Sequence, residues 1–150
     1  MLKLSKKVEY AIIALMDLAG SKGIKPVTSK SVAENNNIPQ ELLGKVMQSL
    51  AKSGLLISVQ GVKGGYTLGK LPEQITLKQV IEVLEGPISI IACGHQSLDE
   101  CDCNQLPNCS IKSPMEMIQS ELDTYFSKIS LKDLKSKFYG HISDPVQLTV

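Results

Sequence analysis

Between Leu55 and Gly69 the chain carries two short runs of branched and aromatic residues, split by Gly61-Val-Lys-Gly-Gly65. Glycine at three of five positions permits the backbone angles of a tight reversal. Leu55 to Gln60 and Tyr66 to Leu68 are therefore predicted to be the two strands of one hairpin. Glycine-dense loops also cradle phosphates in enzymes, but there a helix N-terminus follows directly. A second strand follows here, so the P-loop and dinucleotide readings lack their context.

The segment before the hairpin is helical by pattern. Val8, Ala11, Ile12, Leu15, Met16 and Leu18 recur near the helical period and predict a first helix from Ser5 to about Ala19, stopped by Gly20 and Gly23. Thr28 to Asn35 predicts a short second helix with Val32 and Ala33 inward, and Asn35-Asn36-Asn37 a turn. Ile38-Pro39 opens a third helix, with Pro39 in the first turn where its missing N–H does no harm. Leu42, Leu43, Val46, Met47 and Leu50 line its buried side, and Gly54 ends it.

Beyond the hairpin, Thr76 caps a fourth helix that runs to about Glu85 and is broken by Gly86-Pro87. Ser113-Pro114-Met115-Glu116 reads as a helix start, with serine as cap, proline first and glutamate third. That helix reaches about Lys128, with Met117, Ile118, Leu122 and Tyr125 on one side. Leu131 to Lys137 predicts a last short helix, and the chain after Gly140 a loose tail. No internal repeat or low-complexity block interrupts this order.

Two short helices, a turn, a longer helix and then a hairpin is the order of a winged helix-turn-helix. The expected fold is thus mainly α with a small β-hairpin wing, followed by a long C-terminal helix. The third helix is expected in the major groove of double-stranded promoter DNA, with Gln40, Lys45 and Gln48 making contact. Gln60 and Lys63 are expected to do so from the wing, with Val62 at its tip. Lysine suits a phosphate or a guanine edge, and glutamine can pair with adenine. Each of these residues, taken singly, also fits a plain solvated surface.

Charge favours the DNA reading. Residues 1–80 hold 11 lysines against 5 acids, a net +6, and residues 81–150 hold 5 lysines against 10 acids, a net −5. The basic half suits phosphates and the acidic half does not. All 16 basic residues are lysine, so the usual bidentate arginine–guanine contact is missing. Minor-groove wing contacts and DNA shape are expected to carry more of the recognition.

The four cysteines, Cys93, Cys101, Cys103 and Cys109, all fall in one polar stretch punctuated by Gly94, Pro107 and Pro114. Four soft ligands on one loop suit a metal or an iron–sulfur cluster. Met1-Leu-Lys-Leu-Ser-Lys-Lys leads into an apolar run, Ala11 to Met16, too short for a signal peptide or a membrane span. The expectation is a cytoplasmic protein with no membrane partner, where clustered thiols stay reduced and favour metal over disulfides.

Ser5-Lys6 followed by Tyr10-Ala11, the wing Val59-Gln-Gly-Val-Lys-Gly-Gly-Tyr-Thr-Leu-Gly69, and a cysteine loop before a long helix together resemble the Rrf2 superfamily of bacterial regulators. The resemblance covers about residues 1–137, and Gly-Gly-Tyr-x-Leu in the wing is its most specific part. It implies a homodimeric winged-helix regulator, with Met115–Lys128 as the dimerisation helix. The implied domains are 1–86 for DNA binding, 87–113 as the cluster loop, and 114–150 as dimerisation helix and tail. Gln60 stands where the family usually has arginine, and Gly44 where an iron–sulfur member has glutamate, so the operator sequence does not carry over.

The iron–sulfur members space three cysteines regularly. Cys103 and Cys109, with five residues between them, match that interval; the nine residues between Cys93 and Cys103 exceed it, and Cys101 is extra. Cys93, Cys103 and Cys109 are the first choice of ligands, with Cys101 a competitor. For a fourth ligand the candidates are Glu9, at the first-helix position that supplies a carboxylate across the dimer in some members, then Cys101 and His95. Lys112 occupies the position of a histidine ligand in other members. The cluster type, two-iron or four-iron, stays open. A structural zinc site and a metal-free thiol switch are the alternatives.

Enzyme chemistry is not expected. The chain has two histidines, His95 and His141, and a cysteine with His95 lacks a visible orienting group or oxyanion device.

Overall fold

The computed structural model describes residues 3–20, 25–91, 93, 103 and 108–143. It contains α1 (Lys6–Gly20), α2 (Ser29–Asn35), α3 (Gln40–Lys52), β1 (Leu56–Val59), β2 (Gly65–Leu68), a 3-10 turn (Pro72–Gln74), α4 (Leu77–Glu85), α5 (Lys112–Lys128) and α6 (Leu131–Ser143). The predicted order of helices and hairpin is the observed one. The fold is mainly helical, a winged helix-turn-helix followed by a long helix.

Local chemistry sets the helix starts. The Ser5 hydroxyl accepts from the Val8 N–H at 3.4 Å and donates to Glu85 at 2.7 Å, capping α1 and tying it to the end of α4. Thr28 caps α2 by accepting from the Ser31 N–H at 3.1 Å. Thr76 and Gln79 form a reciprocal capping box at α4. Between α2 and α3, Asn37 takes φ +52°, a conformation asparagine tolerates better than most side chains.

The main core joins Ala11, Ala14, Leu15 and Leu18 of α1 to Val32, Ala33, Leu43, Val46, Met47 and Leu50. Leu55, Leu56, Ile75, Val80 and Leu131 complete it. Leu42, expected on the buried side of α3, is only half-buried. A smaller core holds Val8, Leu77, Ile81 and Ile88, with Phe126 and Ile129 packed against it.

The hairpin is antiparallel, pairing Leu56 with Leu68 and Val59 with Gly65. A third stretch of backbone joins it: Tyr66 donates to the Val27 carbonyl at 2.8 Å, and Val27 donates back to Tyr66 at 3.0 Å. Gly65 makes this approach possible. Its φ is +145°, and a Cβ there would lie 2.6 Å from the Val27 carbonyl oxygen.

Three expectations are corrected. Ser113 is not the cap of α5; the helix begins at Lys112, with Ile111 in the cap position and no side-chain cap. The turn that brings the Lys112 N–H to the Cys109 carbonyl, at 3.4 Å, runs directly into the helix. Pro114 is then still within the first turn, where amides lack helical partners anyway. Second, the expected stripe of α5 is split. Gln119 is buried and Met115, Leu122 and Phe126 half-buried, whereas Met117, Ile118 and Tyr125, and Ile111 at the cap, are exposed. Third, α6 continues past Gly140 to Ser143; residues 144–150 of the expected tail lie outside the described residues.

α6 starts by packing back on the core shared by α1, α3 and α4. The Leu131 N–H donates to the Ile75 carbonyl at 2.8 Å, and the Leu77 N–H to the Ile129 carbonyl at 2.9 Å. Lys132 pairs with Glu73 at 3.0 Å, and Lys135 donates to the Ala19 carbonyl at 2.9 Å, satisfying the end of α1. Asp133 accepts from the Ser130 N–H at 2.9 Å and from its hydroxyl, which holds the Asp133 carboxyl below the ordinary range. No helix among the described residues is long and apolar enough to cross a membrane.

Candidate nucleic-acid interface and thiol segment

α3 buries Leu43, Val46, Met47 and Leu50 and leaves Gln40, Glu41, Lys45 and Gln48 exposed. The helical period alone produces this division, because residues 41, 45 and 48 share the face opposite the core. Lys45 and Glu41 approach to 3.5 Å, both strongly exposed. Such a pair contributes little to stability and leaves both groups available to a ligand. Gly44 sits in the same face, with nothing within 4 Å of where a Cβ would be. The backbone of α3 is therefore open at its centre.

The hairpin projects a second exposed group. Gln60 and Lys63 are exposed, and Val62 is fully so. The tip is braced from within. The Gly64 N–H donates to the Gly61 carbonyl at 3.0 Å, and a Cβ on Gly64 would lie 2.4 Å from the Val59 carbonyl oxygen. Ile57 and Val59 add apolar surface to the same hairpin. Every residue expected to touch DNA is thus a solvent-facing residue of α3 or the wing.

The thiol segment is only partly described. Cys101 and His95 lie outside the described residues. Cys93 and Cys109 are half-buried free thiols and Cys103 is an exposed one. Glu9 lies on α1, paired with Lys6; that contact raises the Lys6 ammonium above its ordinary pKa. Among the described residues, no three histidine, cysteine or acidic side chains gather as a metal site. The donors nonetheless suit a soft metal or cluster by their chemistry: three solvent-reachable thiols with no disulfide between them.

Sequence reasoning missed the group that secures the start of this segment. Gln119 of α5 is buried, 6% exposed. Its Oε1 accepts from the Ile90 N–H at 3.0 Å, and its Nε2 donates to the Ile88 carbonyl at 2.6 Å and to Asp123 at 3.2 Å. The available signal was spacing: Met115, Gln119, Leu122 and Phe126 fall on one helical face, with glutamine as its single polar member.

A profile of the Rrf2 family, described as iron-dependent transcriptional regulators, matches residues 4–137. The HTH-type transcriptional regulator CymR of Bacillus subtilis is 40% identical over 88 residues, a match spanning 59% of this chain and 64% of that relative. The solved structure of CymR, the global cysteine regulator of B. subtilis, superposes with a TM-score of 0.71 at 32% identity, covering 91% of this chain and 98% of that one. T. potens IscR superposes with a TM-score of 0.69 at 30% identity, covering 96% and 93%.

Proposed function

The chain belongs to the Rrf2 family of transcriptional regulators, and from that premise we propose that it is a homodimeric, cytoplasmic repressor or activator of transcription whose grip on promoter DNA is set by an iron–sulfur cluster on its cysteine segment. α3 enters the major groove and presents Gln40, Lys45 and Gln48; the wing brings Gln60 and Lys63 to the adjacent groove. Residues 1–86 form the DNA-binding unit, 87–113 the sensing segment and 114–150 the dimerisation part. Ile118 and Tyr125, seven residues apart on the outer face of α5 beside Met117, continue at the same spacing the exposed Ile111 of its cap position. A recurring apolar row left in solvent by a long helix suits a second copy of the same helix.

Cys93, Cys103 and Cys109 are the residues that would hold the cluster, with Cys101 or Glu9 completing the set. The group, when bound, supplies a charge and redox state that respond to iron supply, oxidants or nitric oxide. The protein's own contribution is to tie the sensing segment to α5. A coupling of about 1.4 kcal/mol changes promoter affinity tenfold. The carrying observation is the thiol concentration itself: every cysteine lies between residues 93 and 109, and the final pair, Cys103 and Cys109, frames the entry to α5.

A second reading, a thiol redox switch without metal, is favoured by the likeness to a regulator named for cysteine and by the described thiols, which gather no metal site among the described residues. The test is a visible spectrum with iron, sulfide and zinc analysis of protein purified without oxygen. Broad visible absorbance with matched iron and sulfide, lost in Cys103→Ala and Cys109→Ala, is the expected result. Colourless protein that stays so after reconstitution overturns the cluster in favour of the thiol switch. Stoichiometric zinc overturns it in favour of a structural site.

A further inference from the structure

We propose that Gln119 is the positioning residue through which the cysteine segment and the dimerisation helix move as one; this rests on the sensing role proposed above. A buried amide without partners is strongly unfavourable, whereas an apolar residue of the same size packs freely. The partners therefore indicate what the residue does. Gln119 receives the N–H of Ile90 and gives a hydrogen to the carbonyl of Ile88. These are the two bonds a neighbouring strand would make to residues 88 and 90. The side chain thus acts as a one-residue strand edge, presented by a helix.

The segment it holds is irregular backbone between α4 and the cysteines. Gly86, at φ +83°, and Pro87 end α4, and residues 87–91 form no helix or strand of their own. Ile88 is buried in the smaller core, and Cys93 stands three residues beyond Ile90. The same amide reaches Asp123, which lies 3.8 Å from Lys78 of α4, itself 3.6 Å from Glu82. One glutamine therefore joins the approach to Cys93, the helix of the proposed dimer seam, and a helix of the DNA-binding unit. A change of state at Cys93 pulls directly on a backbone amide that α5 holds.

Two variants separate this from general packing. Gln119→Met keeps length and removes the hydrogen bonds. Gln119→Glu keeps an acceptor for the Ile90 N–H but sets a carboxylate against the Ile88 carbonyl and Asp123. The readout is iodoacetamide alkylation of Cys93 relative to Cys109, by peptide mass spectrometry, on reduced metal-free full-length protein. The ratio is expected to rise on the order of tenfold in Gln119→Met. In Gln119→Glu it rises at neutral pH and falls back as the new carboxyl protonates. The promoter-affinity ratio between the cofactor-loaded and metal-free states is expected to shrink toward one in Gln119→Met. An unchanged alkylation ratio in both variants overturns the proposal, as does a parallel rise at Cys93 and Cys109. If Gln119→Met does not fold, the pH response of Gln119→Glu decides. If the wild type shows no affinity difference between states, the sensing role falls, while alkylation still decides the clamp.

Discussion

Replacing Gly65 with alanine attacks the wing where its second strand pairs with the Val27 backbone. The new Cβ would lie 2.6 Å from the Val27 carbonyl oxygen, 2.7 Å from its carbon and 3.0 Å from the Thr28 nitrogen. All three are backbone atoms, so no flexible side chain can yield. The φ of +145° adds strain of about 1–3 kcal/mol for a residue with a Cβ. Moving the hairpin away to relieve the overlap breaks both hydrogen bonds between Val27 and Tyr66, each contributing about 1 kcal/mol net. Alanine's lower unfolded-chain entropy offsets about 0.4–1 kcal/mol. The net loss is about 2–4 kcal/mol, which in a chain of this size lowers Tm by roughly 10 °C. Urea unfolding followed by circular dichroism, at fixed protein concentration, measures it. A loss below about 0.5 kcal/mol, the level of an ordinary surface change, would refute the reasoning, because a real contact at that distance cannot be neutral. Promoter affinity is expected to fall further in this variant than in Lys63→Ala, since the whole wing shifts.

Gly44→Ala is expected to act in the opposite sense on stability, raising it by up to about 1 kcal/mol through helix propensity, because the added Cβ meets nothing. The same methyl is expected to weaken promoter binding; undiminished affinity in a mobility-shift titration would show that α3 does not approach DNA closely at its centre. Lys45→Ala and Lys63→Ala are each expected to lower affinity and to reduce the salt dependence of log K by about one counterion, without changing cofactor content. An unaltered salt slope in both removes the assigned DNA face. Asp133 has its carboxyl pKa depressed by the Ser130 hydroxyl and N–H. Its contribution is therefore complete above the ordinary carboxylate value and is lost as pH falls through the lower folded one. Asp133→Asn is expected to remove that acid-side loss, and an unchanged pH profile of unfolding would contradict the cap.

The helices, the wing and the exposure of the residues assigned to DNA were legible because each depends on local pattern. Gln40, Lys45 and Gln48 are exposed for the same reason that Leu43, Val46 and Met47 are buried: they occupy opposite arcs of one turn pattern. The start of α5 was misplaced because Ser113-Pro114 satisfies a capping rule, yet the turn at Cys109 supplies the nucleus earlier. The outer and inner faces of α5 were merged because Met117, Ile118, Leu122 and Tyr125 are all apolar, and only tertiary packing says which face meets the domain. Val27 joining the hairpin, Leu131 completing the main core and Gln119 holding residues 88–90 all link positions far apart in the chain. Such pairings leave no local signature. Among the site residues, the thiols were legible as chemistry, since four cysteines in one polar stretch stand out in any reading.

α5 is fastened at its middle, by Gln119 to residues 88–90, and just past its C-terminal end, by Ile129 and Leu131 to Leu77 and Ile75, to the body that carries α3. Each protomer of the proposed dimer is then a lever without a joint. Among the described residues, the join between α5 and the body carrying α3 offers the proposed signal no free joint for changing the distance between the two copies of α3. In the proposed dimer that change would arise where the arms cross, at the outer row of Ile118 and Tyr125 with Ile111 just before it, and would reach the DNA enlarged by the length of the arm.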